Sequence, residues 1–164
     1  MKIIVLSDTH GNTELLRNVI FRNQVGLDLA IHLGDNLKDF NEVMIEFPHI
    51  ASLGVLGNCD FASMYFDAKT EGCFCAEKRR IFYTHGHKYN VDHGVEYLSY
   101  NAKFNNCDIA LYGHTHVGVI TECSGVTVIN PGSLSRPRDN SGGTYAILEI
   151  CGDNLKCKIL EVTK

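Results

Sequence analysis

The sequence contains no basic run longer than Lys78-Arg79-Arg80, and its net charge is −4. It therefore offers no surface of the kind that binds nucleic acid. No apolar run approaches the roughly 20 residues of a membrane span. The first apolar run is too short for a signal peptide, and Asp8 interrupts it. The seven cysteines are odd in number and include no Cys-x-x-Cys, which excludes a zinc knuckle by spacing. Without an export signal the expectation is a cytosolic protein with reduced thiols. Most of the cysteines are expected as small buried apolar residues. Linkers, repeats and low-complexity segments are also missing. The 164 residues are accordingly expected to form one domain with enough chain for a real core.

What is present is ordinary in bulk, with 45% hydrophobic and 21% charged residues. The histidines are not ordinary. There are eight, and they crowd at His85 and His87 and again at His114 and His116. Clustering of the commonest metal ligand matters more than its abundance.

The chain is organised around its first stretch, where an apolar run of strand type stops at Ser7 and Asp8 and His10 follow in a loop. Asn12 is placed to cap a helix over 12–24, whose apolar residues Leu15, Leu16, Val19 and Ile20 have helical spacing. A strand is predicted over 28–33, a helix over 39–47 ended by Pro48, and a strand over 50–56. Such a β-α-β-α-β run implies parallel strands with right-handed crossovers. Further on, the pattern predicts short strands at 64–67 and 73–77, a better one at 80–84, a helix over 92–103 and a strand at 108–112. Four more strands follow, at 117–123, 126–130, 144–151 and 155–162. Gly125 and Gly152-Asp153-Asn154 read as hairpin turns. The long polar loop over 131–143 is of the kind that tends to serve function. Parallel strands in front and hairpins behind suggest two packed sheets flanked by helices. On the helix at 92–103 and just beyond it, Tyr97, Tyr100 and Phe104 share one face and are expected in the core.

Five times an apolar strand runs into a glycine-containing turn that presents a polar ligand type. These turns carry Asp8 with His10, Asp35, Asn58, His85, and His114 with His116. Carboxylate, amide and imidazole together suit Mn²⁺, Fe, Zn²⁺, Ni²⁺ or Co²⁺. Seven side chains exceed what one ion usually takes, so two ions sharing one carboxylate is the economical arrangement. A water between such ions becomes hydroxide near neutral pH and serves as a nucleophile at phosphorus.

The succession Asp8-x-His10, Gly34-Asp35-Asn36, Gly57-Asn58-Cys59-Asp60, His85-Gly86-His87 and Gly113-His114-x-His116 resembles the calcineurin-like metallophosphoesterases. Within them it looks like the small YfcE-type phosphodiesterases, and the later run from Asn130 through Arg138 looks like that subgroup too. The resemblance implies a four-layer α/β/β/α sandwich. It implies that Asp8, His10 and His116 hold one ion, that Asn58, His85 and His114 hold a second, and that Asp35 bridges them. Asp35, Asn58, His85 and His114 would thereby be catalytic. It further implies two divalent cations, Mn²⁺ first with Ni²⁺, Zn²⁺ or Fe as substitutes. The implied reaction is attack of a metal-bridging hydroxide on a small phosphodiester, and small homo-oligomers are implied by the same likeness. Two other readings stay open: a scaffold of the retromer-subunit type, and a phosphomonoesterase or nucleotidase. Cys59 stands where many larger relatives have a histidine, and a thiol carries no positive charge.

The remaining histidines divide. His32 is expected as a satisfied core histidine, His49 as exposed and His93 as a solvated helix start. His87 reads equally as a hydrogen-bonding neighbour of a ligand or as part of a structural turn. Arg136 and Arg138 read equally as a clamp for a substrate phosphate or as pins holding the long loop to a carboxylate.

Overall fold

The computed structural model describes residues 1–61 and 69–162. The strand expected at 64–67 lies outside them. The first half alternates strands and helices: β1 (Lys2–Leu6), α1 (Thr13–Asn23), β2 (Leu29–His32), α2 (Leu37–Met44) and β3 (Ala51–Gly54). Strands β4 (Glu71–Ala76) and β5 (Arg79–Thr84), a 3₁₀ turn at His87–Tyr89, α3 (Glu96–Phe104) and β6 (Ile109–Leu111) follow. The chain ends in β7 (Gly118–Cys123), β8 (Val126–Pro131), β9 (Thr144–Cys151) and β10 (Asn154–Glu161).

Two five-stranded sheets result, ordered β10-β9-β1-β2-β3 and β4-β5-β6-β8-β7. In the first, β1, β2 and β3 run parallel, β9 is antiparallel to β1, and β10 is antiparallel to β9. In the second, β5, β6 and β8 are parallel between antiparallel edges β4 and β7. Strand β1 explains the layering. Ile3 and Val5 join the core with Ile81, Ile109 and Ile129 of the second sheet. Ile4 and Leu6 face the other way, onto Leu16, Ile20 and Phe40 of α1 and α2. A strand buried on both faces must be apolar throughout, as parallel strands usually are. The second sheet covers its outer face with α3, through Phe82, Ala110 and Val128 against Leu98 and Ala102. This is the four-layer sandwich, a mixed α/β fold with two mixed sheets and three α-helices among the described residues.

Several expectations need correction. Helix α2 starts at Leu37 rather than residue 39, because the Asp60 carboxylate reaches back to accept the N–H groups of Asn36 and Leu37 at 3.0 Å. A borrowed side chain thus satisfies the orphan donors of a helix start. Helix α3 starts at Glu96, not residue 92. Asn90 and Gly94 have φ of 55° and 143°, outside the helical region. His93 consequently sits exposed in a turn before the helix. Tyr97, Tyr100 and Phe104 are 57%, 66% and 77% exposed, so they are not core residues. The helix instead lies on the sheet through Leu98, Ser99 and Ala102. Of the seven cysteines only Cys107 is buried, and Cys59, Cys73, Cys75 and Cys151 are exposed. Cys73 and Cys75 alternate onto the open side of edge strand β4.

Candidate metal centre

The C-terminal ends of β1, β2 and β3 in one sheet, and of β5 and β6 in the other, meet at one edge of the sandwich. Each is followed by one of the five polar turns. The turns are stitched together by backbone bonds, Asp8 N–H to the Gly34 carbonyl at 3.0 Å and Gly113 N–H to the His85 carbonyl at 2.9 Å. They also approach too closely for side chains. A Cβ on Gly34, whose φ is +99°, would lie 2.7 Å from the Gly57 Cα and 2.8 Å from His85 Nδ1. Such a turn admits only glycine.

Strain gathers at this edge. Asp8, His10, Asp35, His114 and His116 have φ of 55°, 44°, 61°, 69° and 60°. Each such conformation costs an L-residue roughly 1–2 kcal/mol, and strain of this kind clusters at functional sites. Polar supports hold it. The Asp60 carboxylate accepts four backbone N–H groups, from Asp35, Asn36, Leu37 and Gly57, at 2.8–3.0 Å. Ser133 Oγ donates to the Asp8 carbonyl and Ser135 Oγ to the Thr9 carbonyl, both at 2.8 Å. Asn130 donates to the Gly113 carbonyl at 2.8 Å. The sequence alone assigns no role to any of these supports. Asp60, Ser133 and Ser135 all stand within the runs that carry the family resemblance, but nothing in their spacing marks them as supports.

His32 is buried in the core, stacked on Phe40 at 5.2 Å. Its Nδ1 accepts from Gly34 N–H, so its Nε2–H donates to Thr9 Oγ1, which in turn donates to the Asp35 carbonyl, each at 3.3 Å. The expected satisfied core histidine therefore ties the first two turns together. Burial pushes its pKa down to about 4.

The side chains converge as acceptors. His85 Nδ1 lies 2.6 Å from the Leu33 carbonyl and His116 Nδ1 lies 2.7 Å from the Arg136 carbonyl. A carbonyl only accepts, so both Nδ1 atoms carry hydrogen and the neutral rings present bare Nε2 atoms. His114 is turned the other way, with Nε2 on the Asp92 carboxylate at 2.9 Å and Nδ1 facing inward. The inward atoms then meet other acceptors. His116 Nε2 is 3.1 Å from Asp8 Oδ1, a buried oxygen with no hydrogen-bond partner among the described residues. His10 Nε2 is 3.3 Å from His116 Nε2 and 3.9 Å from Asp35 Oδ2. Candidate ligand atoms of Asp8, His10, Asp35 and His116 all lie within 4.8 Å of one another. Beside them, His85 Nε2 and His114 Nδ1 lie 3.0 and 2.9 Å from Asn58 Oδ1. Asp35 stands between the groups, its Oδ1 3.5 Å from His85 Nε2. All seven residues singled out in the sequence are thus neighbours at one edge. Lone pairs gathered in this way can hold a cation, and this oxygen–nitrogen set fits a divalent ion.

The electrostatics agree. Burial alone would raise Asp8, but His116 and His85 outweigh it and hold the carboxyl below its usual range. Contact with Asp8 raises His116 against burial, as a carboxylate beside an imidazole does. Burial lowers His10 despite the nearby Asp35 and Asp8, which favours the neutral ring. Cys59 lines the cleft, and burial followed by contact with Asp35 pushes its thiol up to about 11. His87 stands behind, its ring 5.3 Å from His85 and 6.2 Å from His114, with a buried Nδ1 that has no hydrogen-bond partner among the described residues. Arg136 and Arg138 line the rim of the cleft, whose volume is about 310 Å³.

A two-sheet sandwich with an acceptor-lined edge of carboxylates and imidazoles defines a metal-binding hydrolase class. Residues 1–153 match the calcineurin-like phosphoesterase superfamily domain, and the chain belongs to that family. It is 34% identical over 153 residues to the probable metallophosphoesterase YsnB of Bacillus subtilis, covering 93% of this chain and 86% of YsnB. It is 31% identical over 146 residues to the phosphodiesterase MJ0936 of Methanocaldococcus jannaschii, covering 80% and 83%. A predicted phosphoesterase of Streptococcus pneumoniae has a crystal structure that superposes with a TM-score of 0.82 at 30% identity, covering 98% of this chain and 88% of that one. The fold alone is shared with zinc-complexed Vps29 of Entamoeba histolytica, at a TM-score of 0.78 and 19% identity over 99% and 100% of the two chains.

Proposed function

We propose that the protein is a binuclear metal-dependent phosphodiesterase acting on a small substrate in the cytosol as a single domain. Asp8, His10 and His116 would hold one divalent ion, Asn58, His85 and His114 a second, with Asp35 shared. When bound, such ions, Mn²⁺ first and Ni²⁺, Zn²⁺ or Fe in its place, activate water and neutralise phosphoryl oxygens. The chain's own residues do the positioning. Leu33, Asp92 and Arg136 fix which ring nitrogen of His85, His114 and His116 faces inward. Cys59 offers a neutral thiol beside the cleft, so departure of the leaving group gets no cationic help from this position. That favours substrates with good leaving groups.

The observation that carries this reading is the convergence of Asp8 Oδ1 and His116 Nε2 with no donor between them. The diester is preferred because a relative of 31% identity is named a phosphodiesterase. The scaffold reading is less well supported, since every expected ligand position is filled and oriented. The test is hydrolysis of bis(p-nitrophenyl) phosphate and of p-nitrophenyl phosphate with increasing Mn²⁺. Diester turnover that needs the metal and disappears in Asp35→Asn and His114→Ala is expected. Faster monoester turnover would favour a phosphomonoesterase, and bound metal without hydrolysis of either ester would favour the scaffold.

A further inference from the structure

We propose that Arg136 and Arg138 form a second anionic subsite, so that the substrate is a phosphoester bearing another phosphate or comparable group beside the scissile one. This deepens, and rests on, the phosphoesterase reading above.

Arg136 and Arg138 line the same cleft as His10, Asp35 and Asn58, in a chain whose net charge is −4. Two other arginines are neutralised: Arg17 is bidentate on Glu46, and Arg79 pairs with Asp108. Arg136 and Arg138 have no ion pair among the described residues. The loop does not use them as pins. It is anchored by Ser133 and Ser135 on the Asp8 and Thr9 carbonyls. Their backbone is nevertheless fixed to the centre. Arg136 N–H donates to Ser133 Oγ at 2.8 Å, its carbonyl accepts from His116 Nδ1 at 2.7 Å, and Arg138 N–H donates to the His116 carbonyl at 3.2 Å. The guanidiniums thus rise from a backbone whose position is set by a residue of the metal centre.

Charge makes these arginines surplus to a plain diester. A phosphodiester carries a single negative charge, and a pair of divalent cations, offset by Asp8, Asp35 and the hydroxide of the proposed reaction, already balances it. Two further guanidiniums, each able to grip a phosphate through parallel N–H bonds, match a second anionic group at short reach.

The experiment is calorimetric binding to the full chain in excess Mn²⁺, with ligand titrated into Mn²⁺ buffer as the blank. The probes are methylphosphonate and the ethane-1,2-, propane-1,3- and butane-1,4-bisphosphonates. At least one bisphosphonate is expected to bind about tenfold or more tightly than methylphosphonate, the scale of one well-made charged contact. In Arg136→Gln/Arg138→Gln that ratio is expected to fall to near unity, while the Mn²⁺ stoichiometry reports an intact fold. A bisphosphonate series no tighter than methylphosphonate, or an advantage that survives in the double variant, overturns the proposal. Binding is read without turnover. Loss of the phosphodiesterase reading would show separately, as failure to hydrolyse bis(p-nitrophenyl) phosphate.

Discussion

Asp8 Oδ1 lies 3.1 Å from His116 Nε2, inside the protein, with no hydrogen bond aligned between them. Contact with Asp8 raises His116, so a proton and a metal ion compete for the same position. Mn²⁺ binding measured by calorimetry is expected to weaken as pH falls from 8 to 6 and to release protons more strongly at the lower pH. Affinity that is flat across this range would contradict the competition.

Mn²⁺ at a hundredfold excess over its Kd is expected to stabilise the fold by about 2.7 kcal/mol. Thermal unfolding with and without the ion measures this, and Asp8→Asn is expected to lose most of the upward shift.

Asp92 accepts from His114 Nε2 at 2.9 Å and so fixes the nitrogen that faces inward. Asp92→Asn is expected to reduce metal affinity or metal-dependent turnover about 10- to 100-fold, the usual effect of losing a ligand's orienting partner. Unchanged Mn²⁺ affinity and unchanged turnover together would remove Asp92 from the centre.

The Asp60 carboxylate accepts four backbone N–H groups across two turns. Asp60→Ala leaves those donors competing for water in a partly buried site. At 1–3 kcal/mol for each orphaned buried donor, partly relieved by solvent, a loss of about 3 kcal/mol in urea unfolding is expected.

His32 links stability to pH. Its buried ring takes up a proton only near pH 4, whereas the unfolded chain does so near 6.5. Between those values the unfolded state holds more protons. This contribution is therefore complete above pH 6.5 and is lost as pH falls toward 4, by about 3 kcal/mol in total. Nitrogen-detected NMR should find the ring neutral with hydrogen on Nε2 at pH 5. A protonated ring at pH 6 in the folded protein would refute it.

Much of this was legible along the chain. Parallel strands buried on both faces leave unbroken apolar runs, so β1 and β2 declared themselves, and the hairpins around Gly125 and Gly152 followed from turn chemistry. The seven candidate site residues were legible because each falls in the turn that follows a strand. The aromatic face of α3 was misread because periodicity reveals that a helix has faces but not which one a sheet covers. Asp92 and Asp60 act through partners 22 to 25 residues away, and no local pattern records such a reach. The start of α2 was misplaced for the same reason, since its cap comes from Asp60 rather than from its own sequence.

The turns at the active edge belong to different sheets, with Asp8, Asp35 and Asn58 following strands of one, and His85 and His114 following strands of the other. Ions seated there would act as a clasp across the mouth of the sandwich. Chelation would then loosen the seam between the two halves of the protein, well beyond the loops themselves.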